Sequence, residues 1–153
     1  MIARRQKVPD HLVQMLLHSM GHGDEIAVVD GNSPAAAIAQ RLVRLDGLSA
    51  TDVTSAVLSV MPLDHFAPEA AWRMEVVGDR QAEEPIFDEF RAIIPRHEGF
   101  SFRLAAFERF AFYDGAKAAY AIVSTGENRL YGNKILKRYN PKRLMLMVRT
   151  LGV

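Results

Sequence analysis

One imidazole in this chain stands between two residues without side chains, in Gly21-His22-Gly23-Asp24. Histidine has an unperturbed pKa of about 6.5, so it both donates and accepts a proton near neutral pH. The flanking glycines leave its ring approachable. Two other polar groups stand out: Asp30 closes the apolar run Ile26 to Val29, and Tyr131-Gly132-Asn133 opens a later apolar stretch with a phenol, a bare backbone and an amide. These residue types suit hydrogen bonding and proton transfer on a small polar ligand. Each also has an ordinary structural explanation. The glycines can end a helix with His22 incidental, Asp30 can cap the helix or turn after it, and Tyr131-Gly132-Asn133 can be a plain turn.

Other chemistries find little support. The chain has no GxxxxGK[ST] phosphate loop, no GxGxxG after a strand, no GxSxG elbow and no HExxH. His18 and His22 are spaced as two metal ligands on a helix would be, but Gly21 interrupts that helix and no nearby carboxylate has a comparable claim, so no metal is expected. Cysteine is absent, which excludes disulfides, thiol nucleophiles and cysteine zinc sites and leaves nothing pointing outside the cytoplasm. Nineteen Lys and Arg against eighteen Asp and Glu leave a charge of +1, too balanced for a dedicated nucleic-acid binder. No apolar run approaches the roughly 20 residues of a membrane span. The start, MIARRQKVPDH, lacks the apolar stretch of a secretory signal.

The elements that must position these groups follow from apolar spacing. Leu12, Leu16 and Met20 predict a helix from about Asp10, its N-cap, to Met20, with Gly21 or Gly23 as the left-handed residue after it. Ile26–Val29 reads as a buried parallel strand with Asp30 at its carboxyl end. A helix over Ala35–Arg41, a strand over Leu42–Leu45, and a helix capped by Thr51 with Val53, Val57 and Val60 on one face come next. Trp72–Val77 is strand-like, Glu84–Ile94 is a helix that Pro95 stops, and Phe102–Phe107 is a strand. Arg109–Ala119 reads as a helix or helical turn, Tyr120–Thr125 as a strand, and Tyr131–Lys137 as a last strand entered through a turn. This alternation predicts one α/β domain over 1–153, a mostly parallel sheet flanked by helices. In such a sheet, ligands bind outside the carboxyl ends of the strands.

Charge is uneven. Glu75, Asp79, Glu83, Glu84, Asp88, Glu89 and Glu98 make the third quarter acidic, while no acidic residue follows Glu127. The apolar tail segment Leu144–Val148 calls for burial, plausibly against a neighbouring chain.

Several motifs stand in register with one family. Met20-Gly21-His22-Gly23-Asp24-Glu25-Ile26 with Asp30 after it, Asp46-Gly47-Leu48 and Pro62-Leu63-Asp64 begin the series. Glu108-Arg109-Phe110-Ala111-Phe112-Tyr113, Ala121-Ile122-Val123-Ser124-Thr125-Gly126-Glu127 and Tyr131-Gly132-Asn133-Lys134-Ile135-Leu136-Lys137 complete it. Together they resemble the L-fucose mutarotase and D-ribose pyranase family over roughly Pro9 to Arg138. Phe-Ala-Phe-Tyr and Tyr-Gly-Asn are similar to the fucose branch.

The resemblance implies a ribose pyranase-like fold and a cofactor-independent isomerase that interconverts the α and β anomers of L-fucose or a related monosaccharide. The alternatives are a D-ribose pyranase or a non-catalytic sugar-binding domain. By the same resemblance His22 is the proton donor, and Asp30, Arg109, Tyr131, Gly132 and Asn133 contact the sugar. It further implies a decamer of two stacked pentamers with sites at subunit interfaces. Asp30 is left to orient His22 or to hold a sugar hydroxyl. Tyr113, Phe112 and Trp72 are candidates to pack on the sugar's C–H face, with plain core the competing role for Phe112 and Trp72. Two stretches depart from the family pattern. Gly31-Asn32-Ser33-Pro34 is less bulky than the usual aromatic or histidine-bearing segment, and Tyr139–Val153 is a C-terminal extension.

Overall fold

The computed structural model describes residues 12, 14–99 and 102–139. Among the described residues, six strands form one sheet in the order β2-β5-β1-β6-β3-β4. They are β1 (Glu25–Val29), β2 (Leu42–Leu45), β3 (Ala71–Met74), β4 (Leu104–Phe107), β5 (Ala121–Thr125) and β6 (Lys134–Lys137). β1 runs parallel to β5, β2 to β5 and β3 to β4, while β6 runs antiparallel to both β1 and β3. Five strands thus share one direction, and β6 enters at the edge where they leave, as the mostly parallel α/β reading predicts.

Alternation along the strands builds two cores. Ile26, Val28, Ala121, Val123 and Leu136 face one way and pack with Leu16, Val53, Val57, Ile93 and Ile94. Ala27, Val29, Ile122 and Ile135 face the other way with Ala35, Trp72, Met74, Phe112 and Ala116. Helices α1 (Met15–Ser19), α3 (Ala50–Leu58) and α4 (Pro85–Glu98) therefore cover one face, and α2 (Ala35–Ile38) and α5 (Arg109–Ala118) the other. Helices on both faces bury both sides of each central strand, which explains the continuous apolar run of β1.

Several boundaries differ from the sequence reading. The first helix closes as a wide π-type turn at Ser19, and extended Met20 ends it before either glycine. Gly23 is left-handed (φ 82°) but serves the turn into β1. The Asp10 cap and the segment 140–153, with its apolar stretch, lie outside the described residues. α2 stops at Ile38 rather than Arg41. Ser49, not Thr51, caps α3, because its hydroxyl accepts the Asp52 N–H at 3.1 Å. Pro95 does not stop α4, which runs on to Glu98 and ends at left-handed Gly99 (φ 80°). A proline removes one N–H bond, and Gly99 supplies the stronger terminator. β3 ends at Met74, not Val77; β4 starts at Leu104, not Phe102; and β6 starts at Lys134, after the Tyr131 turn.

Candidate active site

Asp30 leaves the carboxyl end of β1, and Tyr131-Gly132-Asn133 enters β6 beside it, so antiparallel pairing of the two strands brings these polar groups to one edge. The Asn133 side-chain oxygen accepts the Asp30 backbone N–H at 2.9 Å. The Asp30 carboxylate accepts the Asn32 N–H at 3.0 Å, the tight Asx turn expected of a capping aspartate. Asp30 is 3% exposed. Burial pushes its carboxyl above the ordinary aspartate value, against the pull of N–H groups from Asn32, Gly132 and Ser33 and of the Asn133 amide.

Gly132 is required by space. A Cβ there would sit 2.9 Å from Glu127 Cγ and 3.3 Å from both Asp30 Cβ and Ile86 Cδ1. Glu127 fixes the far side of this turn: it is 6% exposed and accepts the Ala50 N–H at 3.0 Å and the Arg129 Nε–H at 2.9 Å. Those donors hold its carboxyl below the usual range. Tyr131 takes a left-handed backbone (φ 63°), and its hydroxyl accepts the Val77 N–H at 3.1 Å. That contact leaves the phenol proton available to a ligand.

Arg109 opens α5 directly after β4. Glu108 makes that start possible, because its carboxylate accepts the N–H groups of Phe110 and Ala111. The Arg109 guanidinium lies 4.6 Å from the Phe110 ring centre and, among the described residues, forms no ion pair. A stacked, unpaired guanidinium has its fork free for hydroxyls.

Asp30, Arg109, Tyr113, Tyr131 and Asn133 all line one cavity of about 180 Å³, with Asn32, Ser33, Met74, Val77 and Leu130. It opens at the carboxyl edge of the parallel strands, where the α/β rule places a ligand. Trp72 and Phe112 do not reach it. Trp72 stacks on Phe107 and donates its indole N–H to Glu69 at 2.9 Å, and Phe112 is 0% exposed in the core.

His22 lies elsewhere. It precedes β1, so the five residues of that strand, about 16 Å of extended chain, separate it from Asp30. Asp30 therefore does not orient His22 within one chain. The neighbour is Asp64, whose Oδ2 lies 3.6 Å from His22 Nε2. Asp64 is itself fixed, since its N–H donates to Lys137 O and its Oδ1 accepts the Phe66 N–H, both at 3.0 Å. The His22 loop is closed by Asp24, which accepts the Gly21 N–H at 2.7 Å. Around it gather Tyr139, His65 and Phe66, the last 60% exposed. A sequence reading misses the role of Asp64, because 42 residues separate the two and only the fold joins them. Among the described residues no three His, Cys, Asp or Glu side chains gather as a metal site.

Known proteins share this arrangement of elements. The human protein named fucose mutarotase is 42% identical over 140 residues, 86% of this chain and 90% of its own length. The solved Streptococcus pneumoniae fucose mutarotase, in complex with L-fucose, superimposes with a TM-score of 0.79 at 37% identity, covering 86% of this chain and 93% of that one. Bacillus subtilis RbsD, complexed with D-ribose, has a TM-score of 0.65 at 17% identity, covering 91% and 98%, and shares the fold. Residues 6–138 match one family pattern. By that match, and by the identity shared along most of its length, the chain belongs to the RbsD / FucU transport protein family.

Proposed function

We propose that this chain is an isomerase that interconverts the α and β anomers of L-fucose. The observation that carries the reading is the single cavity lined by Asp30, Arg109, Tyr113, Tyr131 and Asn133, in a chain whose relatives are named fucose mutarotase. A pyranose changes anomer by opening and reclosing. The anomeric hydroxyl loses a proton, the C1–O5 bond breaks with its electron pair going to the ring oxygen, and that oxygen takes up a proton. Rotation about C1–C2 and closure on the other carbonyl face return both protons, so nothing is consumed. Positioned acid and base groups each speed such steps by about 10²–10⁴-fold.

In this reading Asp30 accepts from one sugar hydroxyl, the Arg109 fork spans two, and Tyr131 and Asn133 donate to others. The Tyr113 ring supplies the apolar face. His22 delivers the proton to the ring oxygen and comes from a neighbouring subunit, oriented by Asp64. Apolar side chains at both edges support head-to-tail contact: Phe66 beside His22, and Val77, Phe110 and Leu130, 53–64% exposed, around the cavity. We take the closed assembly to be a decamer of stacked pentamers and the reaction to be cytoplasmic, the latter in keeping with a chain free of cysteine.

Saturation-transfer NMR on equilibrated L-fucose, D-ribose, L-rhamnose and D-galactose tests the reading. Faster exchange between fucose anomers, lost in His22→Ala, is expected. Exchange confined to ribose pyranose and furanose, or binding without faster exchange of any sugar, would overturn it.

A further inference from the structure

The turn after β1 carries a group that neither the fold nor the proposed chemistry has used. Ser33 lines the cavity, and its hydroxyl oxygen is buried with no hydrogen-bond partner among the described residues. Buried hydroxyls in native proteins are nearly always satisfied, so an orphan in a cavity wall calls for a partner from the ligand. The backbone does not release Ser33 to find one elsewhere. Its N–H faces the Asp30 carboxylate and Asp30 O, and its carbonyl accepts the Ala35 N–H at 2.8 Å.

Resting on the fucose reading, we propose that Ser33 is a specificity-determining residue, its hydroxyl turning about χ1 to bond the sugar hydroxyl next to the one taken by Asp30. The two side chains belong to one locked turn, three positions apart, so a hydroxyl that reaches Asp30 brings its ring neighbour to Ser33. Met74, Val77 and Leu130, which also line the cavity, carry no hydroxyl, amide or charge that would compete for it. The site therefore reads a pair of adjacent hydroxyls on this wall, and an aldose lacking the second leaves Ser33 unsatisfied. A pocket built to bond a hydroxyl discriminates against the analogue without it more sharply than an apolar pocket sorts by size.

The test crosses Ser33→Ala with L-fucose and its 2-, 3- and 4-deoxy analogues, reading KM and kcat for anomer exchange. For L-fucose, Ser33→Ala is expected to raise KM by about 3- to 10-fold, as loss of one neutral hydrogen bond does, with the loss falling on KM rather than kcat. One deoxy analogue, already weak with the parent protein, should lose nothing further in the variant. The proposal is overturned if KM for L-fucose is unchanged, or if Ser33→Ala weakens all four sugars equally, as a merely structural role would. If the parent protein binds L-fucose without speeding exchange, the isomerase reading falls, and the same cross is read in Kd. If it binds no L-fucose, both fall.

Discussion

At the scale of single residues, the cavity groups and His22 sit in different environments. Asp30 sits at 3% exposure, and its carboxyl is raised by that burial. As an acceptor for a sugar hydroxyl it must be ionised, and protonation removes the acceptor. Sugar affinity is therefore expected to fall as pH drops through a value above the ordinary aspartate figure of about 3.9. Titrating L-fucose Kd against pH checks this, and Asp30→Asn should bind weakly with a flat acid limb. A Kd that holds steady down to the ordinary range would contradict it. Asp64 does not line the cavity, and in the proposed mechanism it acts through His22. Asp64→Asn is expected to cost about 10-fold or more in kcat with KM little changed, and Asp64→Glu to recover part of it. Of the groups that line the cavity, Asp30, Tyr131 and Asn133 are legible at strand ends, whereas Arg109 and Tyr113, on α5, are legible only through the family resemblance and as a ring suited to a sugar face. The position of His22 at the other edge corrects the expectation that Asp30 orients it, because the five residues of β1 hold the two apart. Asp64 had no such signal outside the family pattern, because its partner is far along the chain.

At the scale of elements, the least legible feature is Lys134. A lysine in a strand reads as solvent-facing, yet Lys134 is 1% exposed. β6 alternates, so once Ile135 packs with the α5 side of the sheet, Lys134 must point toward α3 and α4. There its ammonium bonds the Thr54 hydroxyl and lies 3.5 Å from the Phe90 ring centre. Burial drives its pKa well below the usual lysine value. The unfolded chain keeps that proton up to about pH 10.4, whereas the folded chain gives it up earlier. Between those two values the unfolded state binds more protons, so stability rises with pH there and is reduced below the folded value. Lys134→Met removes the buried charge, and Thr54 keeps its bond to Ala50 O. The variant is expected to gain about 1–2 kcal/mol at pH 7 and to lose the rise toward pH 10. Urea denaturation at pH 7 and pH 9.5 decides it: a destabilised variant would mean that the ammonium contacts outweigh its desolvation. Ser49 illustrates a smaller misreading, in which two hydroxyls two positions apart competed for the cap. Only Ser49 stands three before the Asp52 N–H.

At the scale of the whole molecule, His22 and the cavity lie at opposite edges of the sheet, so the proposed mechanism needs two chains at each site. If one subunit supplies the imidazole and the next supplies the Asp30 wall, the contact is heterologous, and such contacts close into rings when the rotation allows. Each site then belongs to two chains, and damage to one half is repaired by the other half of a differently damaged neighbour. His22→Ala and Asp30→Asn subunits, each inactive alone, are expected to regain exchange activity when dissociated, mixed in equal amounts and reassembled. With random placement, about a quarter of the sites combine an intact cavity from one chain with an intact imidazole from the next. Saturation transfer on the L-fucose anomers reads the recovery, and the double variant His22→Ala/Asp30→Asn mixed with either single variant gives the blank. If both halves of each site came from one chain, mixing would restore nothing whatever the stoichiometry. Light scattering on the same samples should report a mass near ten chains, and a monomer at micromolar concentration would remove the shared site altogether. An apposition of this kind lies beyond any reading of one chain's periodicity, because the proposed site joins two different surfaces that meet only between copies.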